Sequence, residues 1–150
     1  MKGFADERRA LLRISGDEAR PWLQGLVSND VDKLAPGRPI YAALLSPQGK
    51  YLFDFIMVQD GDTILLDVAA DRAAALAQRL GMYRLRRAAT VEREARGIAL
   101  VWGAEPRAEG ALVIADPREP SLGWRLYAAD PGAALAAAGV EAGTQAEYDA

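Results

Sequence analysis

Within SPQGKYLFDF, residues 46–55, one carboxylate, Asp54, stands inside a run of apolar and aromatic residues that reads as buried strand. Leaving a buried charge unpaired costs on the order of several kcal/mol. Asp54 is therefore a catalytic acid, a ligand-binding acceptor, or a structural acid whose partner lies elsewhere in the fold. The second concentration of chemistry is Tyr83-Arg84-Leu85-Arg86-Arg87, the densest basic patch in the chain. Arginines grouped in this way can hold an anion through bidentate hydrogen bonds, as on a carboxylated ligand tail. The competing reading is a solvated strand start. Trp22, in phase with Ala19, Leu23 and Leu26, reads as core rather than as a stacking platform.

Composition removes much other chemistry. The 150 residues contain no Cys and no His. That excludes a disulfide, a thiol nucleophile, a Ser-His-Asp triad and a Cys/His metal site, and leaves Asp, Glu, Lys, Arg, Tyr or a bound cofactor. SPQGK lacks the upstream glycine and the following Ser/Thr of a phosphate loop, and no GxGxxG follows a strand. Asp60-Gly61-Asp62 lacks the remaining ligands of a calcium loop and reads as a turn. A net charge of −3 encodes no overall attraction to nucleic acid or to a membrane surface. No apolar run approaches the roughly 20 residues of a membrane helix, and MKGFADERRA has no apolar signal core. The expected setting is the bacterial cytoplasm, with no direct nucleic-acid partner and no membrane.

The elements that must position these residues follow from periodicity. Ala10–Ile14 reads as a strand. Asp17 is a plausible N-cap for a helix through Ala19, Trp22, Leu23 and Leu26, running out near Asn29-Asp30. IYAALL (40–45), a turn at 46–49, Tyr51–Gln59, a turn at 60–62 and Thr63–Val68 read as three consecutive strands. Asp71 caps a second helix through Ala73, Leu76, Ala77 and Leu80, with Gly81 as its stop. Ala88–Glu94 closes the set. This order predicts an α+β fold: a mixed or antiparallel sheet with helices on one face, over residues 1–96. Residues 97–150 then begin a smaller second α+β unit, incomplete at the chain end, from GIALVWG, ALVIADP, LGWRLYA and an Ala-rich helix over 131–138.

Three segments taken together, WLQGLVSNDVDKLAPG (22–37), YAALLSPQGKYLFDFIM (41–57) and MYRLRRAATVE (82–92), resemble the folate-binding domain shared by the glycine-cleavage T-protein and its YgfZ-type relatives. DPREPSLGWRLY (116–127) is similar to the DPR…LGWR segment of the YgfZ branch. The resemblance implies a T-protein-like domain that binds tetrahydrofolate or a related folate. Its YgfZ branch implies a part in assembling or repairing iron–sulfur client enzymes, such as those that methylthiolate tRNA. The binding residues it implies are Asn29 and Asp30 at the helix end, Asp54, the Tyr83-Arg84 corner and, as a stacking ring, Tyr148.

Two departures qualify the resemblance. Transferring T-proteins carry Gly-Gly-x-x-Asp-Asp on the corresponding strand and use the first Asp. Here Gly49-Lys50-Tyr51-Leu52-Phe53-Asp54 places Phe53 there. Neighbouring strand residues point to opposite faces, so Asp54 cannot replace that acid without a register shift or bulge. The chain also lacks the Lys-Gly-Cys-Tyr-x-Gly-Gln-Glu signature of the YgfZ branch, which is the expectation for an N-terminal portion of a longer protein. A folate-dependent aminomethyltransferase and a cofactor-free interaction domain are the rival readings.

Overall fold

The computed structural model describes residues 1–84 and 87–149. In chain order they form β1 (Lys2–Ala5), β2 (Arg9–Ser15), α1 (Ala19–Gln24), β3 (Ile40–Leu45), β4 (Tyr51–Asp60), β5 (Thr63–Ala69), α2 (Ala73–Arg84), β6 (Thr90–Glu94), β7 (Gly97–Trp102), β8 (Leu112–Ala115), β9 (Trp124–Ala128), α3 (Pro131–Ala137), β10 (Glu141–Ala142) and α4 (Gln145–Asp149). The α+β class expected from the sequence is the observed one. Two compact units divide the chain: Ala10–Glu94, and Met1–Arg9 together with Ala95–Ala150. The expectation of a first unit over 1–96 thus differs at the N-terminus. Lys2–Ala5 pairs antiparallel with β7 and leaves the first unit, a long-range pairing that local pattern does not reveal.

The Ala10–Glu94 unit is a five-stranded sheet in the order β3-β4-β5-β2-β6. Alternation along β4 sends Phe53, Phe55 and Met57 into one core with Leu12 and Ile14 of β2. Onto the same face α1 packs Ala19, Trp22 and Leu23, and α2 packs Ala73, Leu76 and Leu80. Each large apolar side chain so buried contributes roughly 1.5–3 kcal/mol.

Both N-terminal and both C-terminal ends of α1 and α2 differ from expectation: Glu18 rather than Asp17 precedes α1, with no side-chain cap, and Asp71 lies in a 3-10 turn, Ala70–Arg72, that leads into α2. α1 stops at Gln24 rather than near Asn29, because Gly25 caps it and Val27 then bridges to Leu44 of β3. Gly81 does not end α2, which continues to Arg84. There the Tyr83 carbonyl accepts a hydrogen bond from the Trp22 indole at 3.1 Å.

The other unit is a five-stranded sheet in the order β10-β1-β7-β9-β8. Ala99, Val101, Leu126 and Ala128 pack with Leu135 of α3 on one face. On the alternate positions, Phe4 and Trp102 pack edge-on and tilted against Tyr148 of α4, with ring centroids 6.1 and 5.6 Å away. Among the described residues no helix is long and apolar enough to cross a membrane.

Candidate functional site

Asp54 lies opposite Ala43 in the β3–β4 register, while Tyr41 lies opposite Ile56. Antiparallel partners share a face, so Tyr41 and Asp54 are diagonal neighbours on the side away from Phe53. The Tyr41 hydroxyl donates to Asp54 Oδ2. One registration irregularity falls between Leu44 and Leu45, opposite Tyr51–Phe53. It leaves Asp54 on its own face and Phe53 in the core, 6% exposed. It also sets Tyr51, two residues before Phe53, opposite Leu45 rather than on the Phe53 face, and leaves it 57% exposed, because a bulge bends and over-twists the strand. Its hydroxyl is pushed up to about 12, by desolvation first and then by the hydrogen bond and charge of Asp54.

Arg72 completes this end of the strand. Its guanidinium lies 4.3 Å from the Phe53 ring centroid and donates to the Leu52 carbonyl at 3.2 Å. The cleft lined by Tyr51, Phe53, Asp54, Val68 and Arg72 has a volume of about 90 Å³. Enclosing a drug-sized ligand takes roughly 300 Å³ or more. The chemistry of the donor set fits one end of a folate: a carboxylate that accepts ring N–H groups, with phenols beside it. Its size does not enclose a ring system, so the cleft is not a complete pocket for one.

The Tyr83-Arg84 corner is elsewhere, on the helix side of the sheet. Tyr83, Arg84 and Arg87 line a cavity of about 720 Å³ with Glu18, Trp22 and Leu26. Leu85 and Arg86, which the basic patch also includes, lie outside the described residues. Trp22 is 4% exposed and belongs to the core, as its spacing indicated. The sheet therefore separates Asp54 from Tyr83 and Arg84, and these residues do not line one pocket.

Asn29 serves the edge of the sheet and Asp30 the turn beyond it. Asn29 Nδ2 donates to the Tyr41 carbonyl at 3.0 Å, and Ser28 exchanges hydrogen bonds with the backbone of Ala43. This segment covers the outer edge of β3, which would otherwise present unpaired backbone groups. Asp30 accepts from the Asp32 amide at 3.0 Å and caps the short turn Val31–Lys33.

Tyr148 lies in the other unit. Beyond its ring contacts, its hydroxyl donates to the Leu122 carbonyl at 3.1 Å, and burial pushes its pKa up. Two Asp-x-Arg forks stand in the same unit. Arg8 donates Nε to Asp6 Oδ1 at 2.8 Å, and Arg118 donates Nη2 to Asp116 Oδ2 at 2.7 Å. Arg125, 2% exposed, lies 3.6 Å from Asp116 Oδ2. Burial pushes the Asp116 carboxyl up, but the hydrogen bonds and charge of Arg118, with Arg125, outweigh it and hold the group low. Asp116 and Arg118 belong to the DPR segment, whose charges are thus spent on one another and on Arg125.

Sequence reasoning did not single out Tyr41, Arg72 or Glu18 as site residues. The pairing offset of the β3–β4 hairpin could have found Tyr41, since a four-residue turn at 46–49 brings 41 near 54. Nothing local marks Arg72 or Glu18.

A two-unit α+β chain with these sheets has the fold of an aminomethyltransferase T. It superimposes on the glycine cleavage system aminomethyltransferase T from Bartonella henselae with a TM-score of 0.75 at 18% identity, covering 99% of this chain and 49% of that one. No family model matches the chain. In sequence it is similar to the mitochondrial iron–sulfur cluster assembly factor IBA57 of Homo sapiens, 33% identical over 163 residues, which is 91% of this chain and 45% of that protein. It is also similar to the aminomethyltransferase of Stenotrophomonas maltophilia, 42% identical over 60 residues, covering 39% of this chain and 16% of that protein. The chain is homologous to both, and it spans less than half the length of the curated relatives it matches.

Proposed function

We propose that this chain is the folate-binding part of a YgfZ-type iron–sulfur cluster assembly factor of the bacterial cytoplasm, and that it is not a transferase. The observation that carries the reading is Phe53. Similarity to IBA57 extends over 91% of the chain, while the position that the resemblance assigns to the transferase acid holds a ring buried in the core under Arg72. Phe53 lines the cleft beside Asp54 but carries no ionisable group, so the acid that the resemblance assigns to transfer is absent there.

In this reading Asp54, oriented by Tyr41, accepts from ring N–H groups of a tetrahydrofolate. The folate would supply one-carbon carriage when bound. Asn29 contributes by holding β3, the strand that carries Tyr41, and Asp30 by capping the turn that follows. Calorimetric titration of tetrahydrofolate into the chain and into Asp54→Ala tests the folate claim. Saturable binding that weakens in the variant is expected, and no saturable binding to a folded sample would favour the cofactor-free reading. The assembly role is tested by complementing a strain that lacks its own factor and assaying an iron–sulfur client enzyme. Failure of the full-length protein to restore that client would remove the role.

The aminomethyltransferase similarity favours one second reading, folate-dependent transfer in glycine cleavage. Transfer activity of the full-length protein with a lipoyl-bearing partner would establish it.

A further inference from the structure

The cavity of about 720 Å³ beside α1 shares no lining residue with the Asp54 cleft. Its frame is tied at two points. The Trp22 indole donates to the Tyr83 carbonyl at 3.1 Å. At the other end the Glu18 amide donates to the Ala88 carbonyl at 3.2 Å, and the Ala88 amide returns a bond to Glu18 Oε2 at 2.9 Å. Gly16 lets the two segments meet: at φ +112°, a Cβ there would stand 2.2 Å from the Ala88 carbonyl oxygen. The walls are therefore held by hydrogen bonds and a close backbone approach rather than by loose side chains.

The lining combines three kinds of group. Pro21, Leu26 and Tyr83 give apolar and aromatic surface, with the edge of Trp22, 4% exposed, beneath them. Arg84 and Arg87 are exposed guanidinium groups. Arg84 uses one N–H on the Ala89 carbonyl, at 3.4 Å, out of the five donors that a guanidinium offers. Glu18, half-buried, puts one carboxylate into the same wall. Aromatic walls favour a planar ring, and paired guanidinium groups favour a carboxylate set at its edge. The Glu18 charge disfavours a second anionic group.

We propose that this cavity binds a small arene monocarboxylate, independently of the Asp54 site. The assignment rests on the cavity alone and stands or falls apart from the folate reading.

The test follows the Trp22 indole N–H by heteronuclear NMR on nitrogen-labelled chain, the resonance being identified by its loss in Trp22→Phe. Naphthoate is the probe and naphthamide its neutral counterpart. Expected is a saturable shift of that resonance with naphthoate. Binding should weaken by roughly tenfold or more in Arg84→Gln/Arg87→Gln and with naphthamide, the loss of a charge-assisted contact. Glu18→Gln should tighten binding severalfold, because the amide oxygen can still accept from Ala88 while the charge is gone. Asp54→Asn should leave binding unchanged. Equal affinity for naphthamide, undiminished binding by the double arginine variant, loss of binding in Asp54→Asn, or no saturable shift in a folded sample each overturns the proposal. Both arginines are exposed, so the double variant keeps its core, and its dispersed spectrum verifies the fold.

Discussion

Tyr41 and Asp54 are diagonal partners across β3 and β4, and the phenol of one donates to the carboxylate of the other. An acid in an apolar strand is thereby accounted for. Asp54 points away from the core, with a hydroxyl donor from the neighbouring strand and a second phenol, Tyr51, against it. The same alternation puts Phe53 in the core. Two adjacent residues thus take opposite faces: the acid stands beside two phenols and the ring joins the core.

The Tyr51 hydroxyl, raised from 10.0 to about 12, gives a pH-dependent signature. A folded-state pKa above the unfolded value means that the neutral phenol is favoured in the folded chain. Its contribution is complete below about pH 10 and is lost as pH rises towards about 12. Ultraviolet difference titration should show one tyrosine ionising late. In Asp54→Asn that group should fall part of the way back, because desolvation persists while the carboxylate charge does not. An unchanged late titration in the variant would remove Asp54 as a cause.

Phe53→Asp restores the acid that the resemblance associates with transfer, but at a position 6% exposed and packed with Phe55 and Met57. Large buried aromatic losses and unpaired buried charges each cost about 3–5 kcal/mol. Urea unfolding should show destabilisation of at least about 3 kcal/mol, with Phe53→Leu losing about 1 kcal/mol. A variant as stable as the parent would mean that this position opens to solvent.

Gly16 and Gly49 both have positive φ, yet they should respond differently to alanine. Gly16 faces the Ala88 carbonyl with no room for a Cβ, whereas nothing lies within 4 Å of a Cβ at Gly49. Gly49→Ala should cost only the left-handed penalty of about 1–2 kcal/mol. Gly16→Ala adds backbone displacement and should cost about 3 kcal/mol or more. Equal losses in thermal or urea unfolding would contradict the close approach.

Asp116 carries the acid limb of stability. Its carboxyl is held below its ordinary 3.8, so its contribution is present above that pH and is lost as pH falls through the depressed folded value. Asp116→Asn removes a charge beside Arg125, which is 2% exposed. Breaking such a buried pair costs about 3–5 kcal/mol. The variant should be weaker at neutral pH and show a flatter loss of stability below about pH 4, the ordinary carboxyl range. A loss under about 0.5 kcal/mol would indicate that Arg125 finds compensation elsewhere.

Much of this was legible in residue order. The alternation in β3 to β5 and the 3.6-residue stripes of α1 and α2 placed those elements, because each is set by whether a side chain faces water within its own segment. Phe53 and Asp54 were assigned to opposite faces for the same reason. Asn29 was mistaken for a helix-end residue because the bridge from Val27 to Leu44, which draws the chain along the edge of β3, is not local. Strict alternation would put Tyr51 on the Phe53 face, and the register irregularity that prevents this arises from pairing with Leu44 and Leu45.

What the order of residues determined alone is the repertoire: no Cys or His chemistry, one acid in an apolar strand, one basic patch, and α+β elements whose periods set their faces. Tertiary structure alone decided which groups meet. It placed Tyr41 on Asp54, set Arg72 over Phe53, joined Trp22 to Tyr83 and Glu18 to Ala88, and put Tyr148 in a different unit from the other candidates. The physical reason is range. Side-chain periodicity is fixed within a few residues, whereas a site depends on pairing register and close approach between segments tens of residues apart.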